Sequence, residues 1–334
     1  MRLLILGGTG WLGGRMASTA VESGHQVTCL ARGVSGAVPD GAALVTADRT
    51  QPGAYDRVKD QDWDVVVDVS SQPGQVKSAI AALAGRAGFY VYVSTCSVYA
   101  DNSTVGQDEN GVLLPPLDGD VLEEMDTYGQ AKVACEQHVW KAFGPEHALI
   151  ARAGLIGGPG DKSDRTGYWP LRFARPAATD GAVIIPDSPH QATQVIDVRD
   201  LAPWLIDASS RRIAGIFNAT GPTMPLSRHL DAARNVAGHT GPVVRADPQW
   251  LLDQGVQEWM GARSLPLWVA DPDWQGFSTF DSSKARQAGL RARPLEQTLA
   301  DTLAWELTRD HGEARRAGLT ESDERALIEA LSHN

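Results

Sequence analysis

Tyr128 and Lys132 are the two residues of this chain whose types and spacing most directly suggest chemistry. They stand four positions apart in a segment of helical period, which places both side chains on one helix face, one turn apart. An ammonium group at that distance stabilises a tyrosinate and lowers the pKa of the phenol from its usual value of about 10. Such a tyrosine can exchange a proton with a substrate oxygen. Isolated pairs with this spacing also occur on the surfaces of ordinary helices, so the surrounding sequence has to decide.

A run of serine and threonine side chains follows a predicted buried strand. Residues 93–99 have the sequence V-S-T-C-S-V-Y, with Ser94 and Thr95 at the strand's end. Ligands bind outside the carboxyl ends of the strands in an open α/β sheet. We therefore expect a hydroxyl group of this run to meet the reacting group of a substrate.

A glycine-rich turn is predicted at residues 7–13, between an apolar run and a predicted helix. Gly7, Gly10 and Gly13 have the spacing G-x-x-G-x-x-G. Residues without a Cβ atom allow a tight turn and a close ligand, and the free N–H groups at a helix start attract an anion. The expected occupant is a dinucleotide pyrophosphate. The residues predicted to bind it are Gly7, Thr9, Gly10, Trp11, Leu12 and Gly13.

Strand and helix patterns alternate over residues 1–153, as they do in a βαβ array. Strands are predicted at 2–6, 26–30, 43–46, 64–68, 89–94 and 147–152, and helices at 11–23, 74–86 and 128–143. The strands are continuous apolar runs, which is typical of parallel strands covered on both faces. We predict the α/β class, a doubly wound parallel sheet (Rossmann), with residues 1–153 as the dinucleotide-binding domain.

The sequence pattern changes after residue 153, where glycines and prolines separate short apolar segments. Residues 154–334 are predicted to form mainly a smaller C-terminal substrate lobe. Segments near 194–220, namely Val195–Leu201 and Gly215–Asn218, are expected to return to the main sheet. Residues 294–310 and 319–332 have the pattern of amphipathic helices. The late tryptophans, Trp250, Trp259, Trp268 and Trp274, are interpreted as core and interface residues, with a pocket wall as the alternative.

Composition narrows the possible partners. The formal net charge is −11, which opposes binding to a phosphate backbone, so no nucleic-acid partner is expected. No apolar run approaches the roughly 20 residues of a membrane helix, and we expect a cytoplasmic protein without a membrane partner. Cys29, Cys96 and Cys135 lie far apart, so neither a disulfide framework nor a metal site is predicted, and the three are expected to be small buried side chains.

Taken in order, the glycine turn, the V-S-x-x-x-V-Y run and Y-x-x-x-K resemble the short-chain dehydrogenase/reductase superfamily. The form of the motifs is similar to its extended or atypical branch, the NAD-dependent epimerase/dehydratase family, and to a subgroup related to chloroplast stem-loop-binding proteins. The resemblance implies that Tyr128 is the general acid/base and that Lys132 binds the nicotinamide ribose. It also implies that Thr95 binds the reacting oxygen, with Ser94 as the alternative.

The cofactor choice depends on the end of the second predicted strand, where an acidic residue would accept the ribose hydroxyls of NAD. Here Ala31 stands at that position and Arg32 beside it. A guanidinium binds a 2′-phosphate, so NADP(H) is preferred, NAD(H) is possible, and stacking of Arg32 on adenine is the alternative. The family resemblance further implies that Asp48 meets the adenine amino group, and that Val69 and Ser70 run beneath the cofactor.

The type of reaction depends on departures from the family pattern. Cys96 and Ser97 stand where nucleotide-sugar dehydratases of the family carry Asp-Glu, and Thr193 stands where sugar-nucleotide enzymes tend to carry an arginine. Arg172, Arg175 or His190 could replace that arginine. We therefore predict an NADP(H)-dependent oxidoreductase acting on a small or medium-sized metabolite. The alternatives are a sugar-nucleotide epimerase with retained NAD(P), and a non-catalytic RNA-binding or cofactor-sensing module. The oligomeric state is left open, with a homodimer as a possibility because family members are commonly dimers.

Overall fold

The computed structural model describes residues 1–309 and 315–332. Its strands are β1 (Arg2–Leu6), β2 (Gln26–Ala31), β3 (Ala42–Thr46), β4 (Val65–Asp68), β5 (Tyr90–Thr95), β6 (Ala148–Ala153), β7 (Leu155–Gly157), β8 (Val183–Pro186), β9 (Ala192–Asp197), β10 (Gly215–Ala219), β11 (Thr223–Pro225), β12 (Val243–Ala246), β13 (Gln257–Trp259) and β14 (Ser264–Pro266). Its α-helices are α1 (Trp11–Glu22), α2 (Pro73–Leu83), α3 (Tyr128–His147), α4 (Arg165–Ala174), α5 (Val198–Ser210), α6 (Leu226–Val236), α7 (Pro248–Asp253), α8 (Ser283–Gln287), α9 (Leu295–Glu306) and α10 (Glu321–Ser332).

Seven strands form one parallel sheet in the order β10-β6-β5-β4-β1-β2-β3. The chain runs outward from β1 to β3 on one side and from β4 to β10 on the other, so the strand order reverses between β1 and β4. A crevice forms at the carboxyl ends of the strands at such a switch point. The predicted parallel, doubly wound sheet is confirmed, and each of the six strands predicted over residues 1–153 is observed.

The sheet is covered on both faces because successive strand residues point to opposite sides. Leu3 and Ile5 of β1 pack into a core with α1, α5 and α8. Leu4 and Leu6 of the same strand pack into a second core with α2 and α3. These two layers of helices explain why the strands carry no polar alternation.

The expectation that Val195–Leu201 returns to the main sheet is wrong. β9 lies in a separate three-stranded sheet between β11 and β7, and α5 begins at Val198. Asp197 caps that helix, because its Oδ1 accepts a hydrogen bond from the backbone N–H of Arg199 at 2.8 Å. The apolar pattern of β9 indicates burial, but burial does not specify which sheet a strand joins. The second segment does return, since β10 forms the edge of the main sheet beside β6.

The C-terminal region has its own hydrophobic core. It is formed around α4, α6 and the strand pair β8 and β12, and α9 and α10 pack against it. Trp268 is fully buried, Trp250 and Trp259 pack against this core, and Trp274 is 41% exposed. The helix predicted at 294–310 is observed as α9, with its last predicted residue, Asp310, outside the described part of the chain.

The structure also bears on the predictions about the cysteines and about membrane helices. Cys29, Cys96 and Cys135 are buried free thiols, as predicted. Within residues 1–309 and 315–332, no helix has both the length and the apolar character needed to cross a membrane.

Candidate active site

The glycine turn connects β1 to α1 with backbone geometry that side chains would block. Gly7 has a φ of 92°, and its N–H donates to the Leu30 carbonyl at 2.9 Å. A Cβ atom on Gly13 would lie 2.3 Å from the Gly7 carbonyl oxygen, so the helix starts in direct backbone contact with the turn. Gly10 precedes the helix without a capping side chain, and the first turn of α1 contains no acidic residue. The first N–H groups of α1 are therefore available to an anion, and the turn fits a pyrophosphate.

Trp11 links this turn to the C-terminal region. Its indole Nε1 donates to the Pro159 carbonyl at 2.9 Å. Gly160 passes so closely that a Cβ atom there would lie 2.7 Å from the same nitrogen. The segment 158–164, between β7 and α4, thus begins beside the glycine turn. In this structure the Trp11 side chain therefore bridges two parts of the chain.

Arg32 and Asp48 lie at one corner of the cleft, after the neighbouring strands β2 and β3. The Arg32 side chain is exposed and makes no ion pair with the described residues. The Asp48 carboxylate accepts hydrogen bonds from the N–H and the hydroxyl of Thr50, at 2.9 and 2.8 Å. These bonds, with a smaller contribution from the nearby Arg32, hold the pKa of Asp48 below its usual value. The guanidinium and the carboxylate are therefore close neighbours without a direct bond.

The end of β4 lies directly beneath the glycine turn. A Cβ atom on Gly7 would lie 2.8 Å from Val69 Cγ2. Ser70 is fixed by its N–H, which donates to Asp68 at 2.9 Å, and by its hydroxyl, which donates to Gln75 at 2.8 Å. The carbonyl of Ser70 is left to accept bonds from more distant side chains.

Lys132 is one of the side chains that use this carbonyl. Its Nζ donates to Ser70 O at 3.0 Å and to Val93 O at 2.6 Å, and lies 4.5 Å from the centre of the Tyr92 ring. The side chain is 2% exposed, and this burial lowers its pKa to about 8. The ammonium group therefore joins the carboxyl ends of β4 and β5.

Tyr128 and Thr95 come together where α3 starts. A Cβ atom on Gly129 would lie 2.2 Å from the Ser97 carbonyl oxygen, so only glycine lets the helix start this close to the turn after β5. Thr95 Oγ1 accepts a hydrogen bond from the N–H of Ser97 at 3.2 Å. Ser94, the alternative to Thr95, is buried, and its hydroxyl has no hydrogen-bond partner among the described residues.

The expected effect of Lys132 on Tyr128 is not observed. Burial raises the pKa of the Tyr128 phenol, and the groups that oppose this rise are the Thr95 hydroxyl and the Arg165 guanidinium. Lys132 is not among these groups, and its ammonium donates to the Ser70 and Val93 carbonyls instead. Helical spacing predicts which face a side chain occupies, but not which backbone groups attract its charged end.

A buried polar network that the sequence did not indicate supports the turn after β5. The Arg152 guanidinium pairs with Glu136 at 2.8 Å and donates to Tyr99 Oη at 3.1 Å. Tyr99 in turn donates to Asn218 Oδ1 at 2.6 Å. The network joins β6, α3 and β10 to the turn that follows Thr95. Its one sequence signal is that charged and amide residues interrupt strands that are otherwise apolar.

The family model for the NAD-dependent epimerase/dehydratase family matches residues 3–218. The chain belongs to this family. The match spans the glycine turn, the run after β5 and the Tyr128/Lys132 pair, so the resemblance inferred from those motifs is confirmed.

Individual proteins that resemble this chain share only 16–30% of its residues over the matched regions. The 2′-dehydrokanamycin reductase of Streptomyces kanamyceticus is 30% identical over 161 residues, which are 47% of this chain and 43% of that protein, so the match spans less than half of the relative's length. The NDP-hexosamine 5,6-dehydratase of tunicamycin biosynthesis is 19% identical, with a TM-score of 0.68 over 93% of this chain and 99% of that one. The UDP-glucose 4-epimerase of Thermus thermophilus, solved with NAD, is 16% identical, with a TM-score of 0.66 over 93% and 100%. At these identities the two solved structures support the fold alone.

Proposed function

We propose that this chain is an NADP(H)-dependent oxidoreductase that interconverts a carbonyl and a secondary alcohol on a small or medium-sized metabolite. The observation that carries the proposal is the meeting of Thr95, Tyr128 and Lys132 at the carboxyl ends of β4 and β5, beside the glycine turn. The name of the Streptomyces relative, a reductase, also supports this choice.

Different residues of the cleft would bind different parts of the cofactor. The open N–H groups at the start of α1 would bind the pyrophosphate, and the Lys132 ammonium would donate to the nicotinamide ribose. Val69 and Ser70 would form the floor, and Asp48 would accept from the adenine amino group. NADP(H), when bound, supplies or accepts the hydride.

Tyr128 would act as the general acid/base that exchanges a proton with the substrate oxygen. Because burial raises the pKa of its phenol, the side chain holds its proton at neutral pH and can donate it to a carbonyl oxygen during reduction. The Thr95 hydroxyl would donate a hydrogen bond to the same oxygen, where negative charge develops. In the oxidative direction, the same phenol must first lose its proton.

The preference for NADP(H) rests on Arg32. Its guanidinium is exposed at the end of β2, and Ala31 supplies no carboxylate that would repel a 2′-phosphate. The cytoplasmic location, the homodimer and the absence of a nucleic-acid partner stay predictions from the sequence.

Two residues considered for binding a sugar-nucleotide pyrophosphate are bonded to other groups. Thr193 is buried, and its hydroxyl donates to the Met224 carbonyl at 3.3 Å. Arg172 is paired with the buried Glu324 at 2.9 Å. These two contacts support the oxidoreductase over the epimerase, while the other two candidates, Arg175 and His190, are exposed.

The test is the consumption of NADPH by the purified chain with a panel of ketones and aldehydes, compared with Tyr128→Phe. We expect the substitution to lower kcat by about 10²- to 10⁴-fold, with NADPH affinity unchanged, because only proton transfer is lost. Tyr168→Phe, in the core of the C-terminal region, is the matched control. Full activity of Tyr128→Phe would refute the assignment, and turnover of a sugar nucleotide without net NADPH consumption would identify an epimerase.

A further inference from the structure

Arg165 brings a positive charge into the site without a paired carboxylate. It is the first residue of α4, its side chain is partly buried, and its Nε donates to Ser163 Oγ at 3.2 Å. Within residues 1–309 and 315–332, no acidic side chain lies within ion-pair distance of its guanidinium, and its two terminal nitrogens donate no hydrogen bond.

The two acidic residues nearest to it in the sequence are bonded to other groups. Asp164 accepts bonds from Arg309 Nη1 at 2.6 Å and from the backbone N–H of Arg316 at 2.8 Å. Asp161 accepts bonds from the N–H of Ser163 at 2.8 Å and the hydroxyl of Thr166 at 2.7 Å. The Asp161 charge acts on Arg165 through space, but no carboxylate of the described residues bonds to its terminal nitrogens, so they can bind an anion from outside the chain.

The position of the guanidinium indicates where such an anion would sit. Its central carbon lies 5.4 Å from the centre of the Trp259 ring, which holds the planar group by a cation–π contact. The segment that leads to Arg165 lies against the glycine turn, because the Pro159 carbonyl accepts from Trp11 Nε1 at 2.9 Å and a Cβ atom on Gly160 would lie 2.7 Å from the same nitrogen. The effect of the Arg165 charge on the pKa of Tyr128 agrees with this placement beside the site.

We propose that Arg165 is a specificity-determining residue that binds an anionic group, a carboxylate or a phosphate, which the substrate carries near its reacting carbon. A guanidinium binds either group with two parallel hydrogen bonds. The inference rests on the proposed function, because it places the anion beside the carbon that Tyr128 serves.

Oxalate and inorganic phosphate are suitable binding probes. Their affinity would be measured calorimetrically for the wild-type chain, Arg165→Gln, Arg165→Lys and Arg57→Gln, each with and without NADPH. Arg57 is an exposed arginine outside the site and serves as the matched control. We expect Arg165→Gln to weaken oxalate binding to the NADPH-loaded chain by at least about 10-fold, Arg165→Lys to retain part of it, and Arg57→Gln to match the wild type.

A second measurement compares turnover of a 2-oxo acid with that of its uncharged amide. The wild-type chain should prefer the acid in kcat/KM by about 10-fold or more, and Arg165→Gln should lose this preference, which a merely structural role would leave intact. Equal oxalate binding by wild type and Arg165→Gln, or a wild-type preference for the amide, would overturn the inference. Failure to bind NADPH would count instead against the proposed function, while oxalate binding without NADPH would still test Arg165.

Discussion

At the residue scale, burial sets the protonation of the Tyr128/Lys132 pair. It raises the pKa of the phenol and lowers that of the ammonium to about 8, so at neutral pH the phenol keeps its proton and Lys132 is still mostly an ammonium. The spacing of the two residues predicted a shared helix face. It did not predict the bonds from Lys132 to Ser70 and Val93, because those carbonyls come from positions 62 and 39 residues away in the chain.

Lys132 should leave a signature in the pH dependence of stability. Its pKa of about 8 in the folded chain lies below the unfolded value of about 10.4, so the unfolded state binds more protons between these values. The contribution of Lys132 to the free energy of unfolding therefore rises with pH across this window, by up to about 3 kcal/mol. Urea unfolding of the wild type and Lys132→Met at about pH 7 and about pH 10 would measure it. An identical stability difference at both pH values would contradict the prediction.

Arg32 is expected to discriminate between the two nicotinamide cofactors. Arg32→Ala removes a charge-assisted bond to a 2′-phosphate, so NADPH affinity should fall by about 10- to 100-fold while NADH affinity changes little. Quenching of protein fluorescence by each cofactor measures both affinities, and Arg57→Ala, at another exposed arginine, is the control. Equal losses for the two cofactors would show that Arg32 stacks on adenine instead.

At the element scale, the strands of the main sheet could be predicted because each is a continuous apolar run between turn residues. The pairing of β9 could not, since the same kind of run also suits a small sheet over the C-terminal core. The glycine turn could be predicted from its spacing together with its place between an apolar run and a helical pattern. The contact of Gly129 with the Ser97 carbonyl could not, because it joins two elements that are far apart in the sequence.

The glycine turn supplies a matched pair of substitutions in adjacent positions of α1. The Cβ atom of Gly13→Ala would lie 2.3 Å from the Gly7 carbonyl oxygen, whereas that of Gly14→Ala would lie 3.6 Å from the Gly8 carbonyl oxygen, an ordinary contact. Gly13→Ala should therefore displace the turn, destabilise the fold by about 1–3 kcal/mol and abolish cofactor binding. Gly14→Ala should keep cofactor binding and gain up to about 1 kcal/mol in helix propensity. Thermal unfolding and NADPH titration would check both, and a Gly13→Ala chain that binds NADPH normally would be the contrary result.

At the scale of the whole molecule, the C-terminal segment braces the site. Asp164 adopts a left-handed backbone conformation with a φ of 62°, and its buried carboxylate is held by Arg309 and Arg316. Arg309 also pairs with Glu306, which contacts Gly167 in α4. The two contacts of Asp164 could not be predicted from the sequence, because local patterns carry no information about pairs that are 145 or 152 residues apart.

Substitutions of Asp164 should separate the contribution of its carboxylate charge to stability from that of its left-handed backbone conformation. Asp164→Asn keeps a residue that tolerates the left-handed conformation but loses the charge, and we expect a loss of about 1–3 kcal/mol in the free energy of unfolding. Asp164→Ala should lose about 1 kcal/mol more, because alanine is strained at this φ. Chemical denaturation of the two variants and the wild type gives the order, and unchanged stability in both would show that the segment does not brace α4.

The bracing of Asp164 also has a consequence for biosynthesis. Its partners follow it by 145 and 152 positions, so at about 5–20 residues per second they leave the ribosome roughly 8–30 s later. During that interval the glycine turn, Thr95, Tyr128 and Lys132 have all been synthesised, while the turn that carries Arg165 is not yet held in place. The glycine turn and the Tyr128/Lys132 pair can therefore come together first, and the segment that carries Arg165 is fixed last.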